Sequence, residues 1–103
     1  MAVLLWASWL PKADTTLDQV ETLAAAARGR GLDFLVVVVQ EPLDDARGPL
    51  GGVRADWLLD RYGRLLKHYR VVSIPRLLII EADGRVRASL EPEPTALRDG
   101  GAP

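Results

Sequence analysis

Two uninterrupted apolar runs constrain the fold of this chain more than any other feature of its sequence. Residues Ala2–Trp6 and Phe34–Val39 carry no charged side chain, which is typical of strands covered on both faces of a parallel or mixed sheet. Between the runs, apolar residues recur at helical spacing until Gly29 and Gly31 end the pattern. The periodic positions are Ala13, Leu17, Val20, Ala24 and Ala27. A strand, a helix and a parallel strand predict a right-handed crossover, and therefore the α/β fold class.

The second half of the chain predicts a loop, an ambiguous segment and a strand hairpin. Residues 40–52 are rich in Pro, Gly and Asp and predict a loop with at most one helical turn. Residues 55–69 fit either a short strand followed by a turn at Gly63 and a helix, or one continuous helix with Gly63 inside it. Periodicity alone leaves both open. Residues 77–80 form a third apolar run, and Asp83 and Gly84 predict a hairpin turn before an alternating strand at 85–90.

Composition excludes several classes of function. The chain has 103 residues, 49% of them hydrophobic, which fits one globular domain. Thirteen basic and 14 acidic side chains give a net charge of -1, so we expect no nucleic-acid partner. The absence of Cys excludes thiol chemistry, and the single histidine, His68, has no second ligand at metal spacing, so we expect no metal and no cofactor. Lys12 and Asp14 follow the apolar N-terminus too soon for a membrane span of roughly 20 residues, which predicts a cytoplasmic domain for the chain as given.

Three short motifs follow one another in an informative order. The sequence WASWLPKA at 6–13 aligns with W-A-x-W-C-x-x-C, and LLDRYGR at 58–64 is similar to L-x-D-x-x-G-x. After Ile74 and Pro75, LIIEADGRV at 78–86 matches a strand, a D-G turn and a second strand. In these motifs the chain resembles the thioredoxin-like superfamily, most closely the TlpA/ResA-type thiol-disulfide oxidoreductases, in which the corresponding proline is cis.

The resemblance implies a thioredoxin-like fold with a central mixed sheet of about four to five strands, flanking helices and a shortened C-terminal helix. It implies a domain at 1–90 and a tail at 91–103 with at most a short helix, and it favours the turn at Gly63. The family's helix after the second strand is reduced to the Pro/Gly-rich residues 42–52. For a fragment of a longer TlpA/ResA-type protein, the resemblance implies an extracytoplasmic location instead.

Both thiols of the family's reactive loop are absent. Leu10 and Ala13 occupy the two cysteine positions, and neither can form the thiolate that thiol-disulfide exchange requires. We therefore expect no catalytic residue and no enzyme, although homology would still assign the chain to the thiol-disulfide oxidoreductases. The expected function is a redox-inactive module that binds a peptide or protein partner. The degenerate loop consists of Trp9, Leu10, Pro11, Lys12 and Ala13. The predicted peptide-binding surface consists of Trp9, Leu10, Ser73, Ile74 and Pro75.

The alternative function is a non-thiol enzyme site near Asp14, Lys12 and Pro75. The sequence provides no recognisable nucleophile and general base for such a site. The structural explanation of Asp14 is that it, or a neighbouring threonine, caps the first helix. Two capping pairs would start that helix a turn later than in the family. They are Thr15 with Asp18 and Thr16 with Gln19.

Two further features bear on partners. Basic residues cluster around the predicted second helix, where a solvated helix face is favoured over an anion site. They are Arg61, Arg64, Lys67, Arg70 and Arg76. A missing final helix would also leave apolar side chains on one sheet face uncovered, at Leu35 or Val37 and at Leu78 or Ile80. Either a partner, which can be a second copy of this chain, or the folded-back C-terminal tail would then cover this face. For the tryptophans, we expect Trp6 and Trp57 in the core.

Overall fold

The computed structural model describes residues 1–41, 43–71 and 73–93. Its strands are β1 (Ala2–Trp6), β2 (Phe34–Val39), β3 (Trp57–Asp60), β4 (Arg76–Ile80) and β5 (Val86–Leu90). Its helices are α1 (Ala13–Asp18), α2 (Val20–Gly29), α3 (Leu43–Leu50) and α4 (Arg64–His68). The strands form one sheet in the order β3-β2-β1-β4-β5, in which β1, β2 and β3 are parallel and β4 and β5 antiparallel to their neighbours. The predicted α/β class with a mixed sheet and flanking helices is confirmed.

The central strand β1 explains why its sequence lacks alternation. All five of its side chains are buried, and it pairs with β2 on one side and with β4 on the other, so that Leu4 lies between Val36 and Leu77. On α2, the buried side chains are Val20, Leu23, Ala24 and Ala27. Each large apolar side chain removed from water contributes about 1.5–3 kcal/mol. The core therefore lies on both faces of β1.

The first helical segment begins earlier than its capping pairs predict, and it is divided in two. Helix α1 starts at Ala13 with Lys12 as its N-cap, and no side chain caps it. The predicted capping by Asp14 or by the threonines is therefore wrong. The Thr16 hydroxyl donates to the carbonyl of Lys12 at 3.3 Å instead. The Trp6 indole fixes the helix start through a tertiary contact, because it donates to the carbonyl of Ala13 at 3.1 Å.

The predicted loop at 40–52 is wrong, because Leu43–Leu50 forms helix α3 with Pro49 near its end. Leu50 is buried, and α3 packs against α1. Pro and Gly have low intrinsic helix propensity, but tertiary burial of one apolar face commonly outweighs propensity. The helix that follows the second strand is thus present rather than reduced to a loop.

The segment 55–69 forms a strand, a turn and a helix, which confirms the interpretation with a turn at Gly63. Gly63 has φ +67°, a left-handed conformation that favours glycine. The Asp60 carboxylate, at the end of β3, accepts the backbone N–H groups of Arg64 at 2.9 Å and Leu65 at 2.8 Å. This carboxylate therefore caps α4, which begins directly after the turn.

Replacing Gly63 with alanine is expected to destabilise the domain by about 1–2 kcal/mol, because the new Cβ would be forced into a left-handed backbone. It would also lie 3.0 Å from Cγ and Nε2 of Gln40. The matched control is Gly31→Ala, since Gly31 has φ +73° and its Cβ would meet no heavy atom within 4 Å. Urea denaturation of both variants checks this prediction. An equal loss in both would show that the contact with Gln40 contributes nothing.

The C-terminal part of the described chain is the predicted hairpin of β4 and β5, with Gly84 at φ +90° in its turn. Of the alternative positions expected on an uncovered sheet face, Leu35 and Ile80 are half-buried, whereas Val37 and Leu78 are buried. The short helix predicted within 91–103 falls mainly on residues 94–103, outside the described residues. No helix in the described part of the chain has both the length and the apolarity to cross a membrane.

Candidate functional site

The carboxyl ends of three parallel strands meet at one edge of the sheet. β1, β2 and β3 end there at Trp6, Val39 and Asp60, in register with one another. In open α/β sheets this edge is where ligands commonly bind, because the loops that leave it can diverge and form a crevice. Those loops carry Trp9, Gln40 and Gly63 of the candidate site.

Glu41 joins the first two of these loops. Glu41 is 3% exposed. Its carboxylate accepts one hydrogen bond from the Ser8 backbone N–H at 2.6 Å and another from the Ser8 hydroxyl. A buried carboxylate needs such donors, because an unpaired buried charge is strongly destabilising. Glu41 was not among the predicted site residues. The available signal was its position two residues after a buried strand that runs parallel to β1.

In the degenerate loop, the side chains of Leu10 and Ala13, at the two cysteine positions, point into the core. Leu10 is 9% exposed and Ala13 is 7% exposed, and both belong to the hydrophobic core. Backbone hydrogen bonds from Leu10 to the Ala7 carbonyl and from Ala13 to the Leu10 carbonyl set this path. Leu10, one of the predicted peptide-binding residues, therefore has little exposed surface and does not line the cleft described next. Pro11 and Lys12 are exposed, and neither lines the cleft described next.

Trp9, Ser73 and Ile74, three of the five predicted peptide-binding residues, line one cleft of about 460 Å³. Its volume falls within the range of about 300–1,000 Å³ typical of ligand sites. Trp9 is 54% exposed, so it is a surface residue rather than a core one. The Ile74–Pro75 peptide bond is cis, and Pro75 itself is half-buried and does not line the cleft. The remaining lining residues, which sequence analysis did not assign to a site, are Gln40, Gly63, Leu66, Lys67, Arg70 and Val71.

Two cleft residues have strained backbones. Gln40 has φ +56° and Arg70 has φ +55°, and they are the non-glycine residues with positive φ in the described ranges. Arg70 follows α4 in a Schellman motif, in which its N–H donates to the Lys67 carbonyl and the Val71 N–H donates to the Leu66 carbonyl. Such conformations cluster at functional sites, where the surrounding structure maintains them. Sequence patterns carry no signal for them.

Asp14 lies away from this cleft. It lines a second cleft together with Leu17, Asp18 and Glu21, opposite Pro49, and neither cleft includes Pro75. Asp14 and Pro75 therefore do not line a common cleft among these two, and the alternative enzyme site stays a prediction. In the described ranges, no group of three or more His, Cys, Asp or Glu side chains could hold a metal ion.

This domain has the thioredoxin-like fold and no cysteine. The fold is defined by the sheet order, by the helix after β1 and by the cis Ile74–Pro75 peptide bond before β4. No protein-family model matches the chain, and no curated protein matches it either. StoA from Bacillus subtilis is similar in structure, with TM-score 0.73 and 18% identity over 86% of this chain and 70% of StoA. The N-terminal domain of PilB from Neisseria meningitidis has TM-score 0.72 and 20% identity over 99% of this chain and 81% of that domain.

A third similar structure, from Chlorobium tepidum, is assigned as the thiol:disulfide interchange protein DsbE. It has TM-score 0.71 and 22% identity over 85% of this chain. The chain spans 64% of the length of the Chlorobium protein. At these identities the comparisons establish the fold, which confirms the thioredoxin-like architecture predicted from the motifs.

Proposed function

We propose that this domain is a redox-inactive, thioredoxin-like binding module whose cleft beside Trp9 holds an extended segment of a partner protein. The observation that carries the proposal is that exposed Trp9 lines one cleft together with Ser73 and Ile74, whereas both thiol positions hold buried aliphatic side chains. Because the chain contains no Cys, no thiolate can attack a disulfide. Binding is the activity that this edge of the fold retains.

The backbone at Ser73 and Ile74 supports an extended ligand. Within the described residues, their N–H and C=O groups have no hydrogen-bond partner. An extended peptide can supply such partners along its own main chain, and pockets for alternate side chains then give specificity. Trp9 adds a rigid aromatic contact surface, which loses little conformational entropy on binding. The cleft therefore offers both main-chain and side-chain contacts.

The test is an NMR titration with three peptides that share alternating valines: acetyl-Thr-Val-Thr-Val-Thr-amide and its counterparts with Glu or Lys in place of Thr. At least one peptide is expected to shift the Trp9 indole N–H and the Ser73 and Ile74 amides. The Trp6 indole N–H, which is bonded to the Ala13 carbonyl, should stay unchanged and serves as an internal reference. Trp9→Ala assigns the indole signal and is expected to weaken binding about fivefold or more, as hot-spot tryptophans do. If none of the three peptides shifts these signals, the proposed function is wrong.

A further inference from the structure

On the basis of the binding role proposed above, we propose that the cleft selects acidic peptides, in which carboxylate side chains alternate with apolar ones. The charged side chains that line the cleft are both cations, Lys67 and Arg70. Both residues are exposed, and neither forms a salt bridge with any described residue. Two unpaired cations at the wall of one cleft are available to a ligand carboxylate.

Two carboxylates that follow β2 and end β3 have other partners and lie outside the cleft lining. The Asp60 carboxylate is bound to the N–H groups of Arg64 and Leu65, and Glu41 is bound to Ser8. Neither carboxylate lines the cleft. The carbonyls of Leu66 and Lys67, near the end of α4, accept the backbone N–H groups of the Schellman motif. The charges that face a bound peptide are therefore positive.

The rest of the lining is mainly apolar, which distinguishes the cleft from a simple anion site. Trp9, Leu66, Val71 and Ile74 contribute its apolar wall. A ligand that combines apolar side chains with carboxylates matches both parts of the surface, whereas a free anion matches only the cations. The proposed ligand is therefore a peptide rather than a small anion.

Arg70 provides a second argument. It occupies the left-handed position that follows α4, and the equivalent position after α2 is occupied by Gly31, with φ +73°. Glycine is the usual residue at this position because it has no Cβ. An arginine here places a long cation at the cleft despite backbone strain, which indicates a role for its side chain beyond ending the helix.

The test uses the same three peptides at low ionic strength, with dissociation constants measured by the NMR titration. The glutamate peptide is expected to bind about tenfold more tightly than the threonine peptide, and the lysine peptide more weakly than both. The preference should shrink at about 0.5 M salt, because exposed charges are then screened. A fourth peptide, in which glycines replace the valines of the glutamate peptide, should bind at least about fivefold more weakly, because it loses the apolar contacts.

Two variants assign the preference to the cations. Lys67→Gln and Arg70→Gly are each expected to weaken binding of the glutamate peptide about threefold to fivefold, and thereby to reduce its preference over the threonine peptide. Arg70→Gly should keep or raise the melting temperature, since it relieves the left-handed backbone, so a loss of binding cannot be due to unfolding. Arg28→Gln, which removes an exposed cation from α2 outside this cleft, is the control and should change neither affinity.

The outcomes separate the two proposals. Equal binding of the threonine and glutamate peptides, or tightest binding of the lysine peptide, overturns the acidic preference and leaves the binding module intact. Undiminished binding of the glycine-containing peptide also overturns it, because attraction to any polyanion would then suffice. The absence of shifts with every peptide overturns both proposals.

Discussion

The replacement of Trp6 by alanine is expected to lower the free energy of unfolding by about 3–5 kcal/mol, the range typical of large aromatic residues in a core. Trp6 is fully buried at the end of β1, and its indole N–H donates to the Ala13 carbonyl at 3.1 Å. The substitution removes apolar contact on one face of the sheet and the link between β1 and the start of α1. Since domains are stable by only about 5–15 kcal/mol, the loss is a large share of the total.

Two matched variants define this prediction. Trp6→Phe retains most of the buried ring and removes the indole hydrogen bond, so we expect an intermediate loss of about 1–2 kcal/mol. Trp9→Ala changes the same residue type three positions later, where the side chain is 54% exposed, and should stay within about 0.5 kcal/mol of the parent. Urea denaturation followed by far-UV circular dichroism measures all three. A larger loss for Trp9→Ala than for Trp6→Ala would contradict the assignment of the two tryptophans to cleft and core.

Glu41→Ala is expected to destabilise the domain by about 2–3 kcal/mol, because it removes a charge-assisted acceptor from two donors. Those donors are the backbone N–H and the hydroxyl of Ser8. Without the carboxylate, the partly buried Ser8 N–H loses its acceptor. The hydrogen bonds that connect the loop after β1 to the loop after β2 are lost as well. Equilibrium denaturation in urea gives the change in free energy.

The control variants for Glu41 separate its two hydrogen bonds. Ser8→Ala removes only the hydroxyl and is expected to cost about 0.5–1.5 kcal/mol, and Glu41→Gln keeps one oxygen as an acceptor and should fall between the two. The double variant Ser8→Ala with Glu41→Ala should show a coupling of at least about 0.5 kcal/mol. A neutral or stabilising effect of Glu41→Ala would instead mean that the free-energy cost of desolvating the carboxylate exceeds the stabilisation by its hydrogen bonds.

The sequence was sufficient to place the two strands that are unbroken apolar runs, β1 and β2. The predicted bounds of β1 and β2 agree with the structure, because an unbroken apolar run has only one stable location, between two covered faces. Helix α3 was not predictable from local pattern, since Pro49 and the adjacent glycines favour a loop. Its stability depends on the burial of Leu50 and on packing against α1. These contacts exist only in the folded chain.

The candidate site was predictable only in part. The resemblance led to Trp9, Ser73 and Ile74, which the structure brings to one cleft. It also led to Leu10, which the loop turns into the core, because the direction of a side chain in an irregular loop depends on its backbone hydrogen bonds. Gln40 was missed, and Arg70 was attributed to a solvated helix face, because left-handed backbone at a non-glycine residue leaves no pattern in the sequence.

Helix α4 has consequences for how the cleft is maintained. It has five residues, none of them buried, and isolated helices shorter than about 12–15 residues are marginal in water. It is held by its two ends, the Asp60 carboxylate at the start and the turn at Arg70 at the finish, and by half-buried Leu65 and Leu66, which pack against the core. Local unfolding occurs most readily in segments with few buried contacts. Helix α4, which forms one wall of the cleft, can therefore unfold while the sheet around β1 stays folded. The cleft can therefore form and dissolve as a small cooperative unit, and a bound peptide would hold it in its formed state.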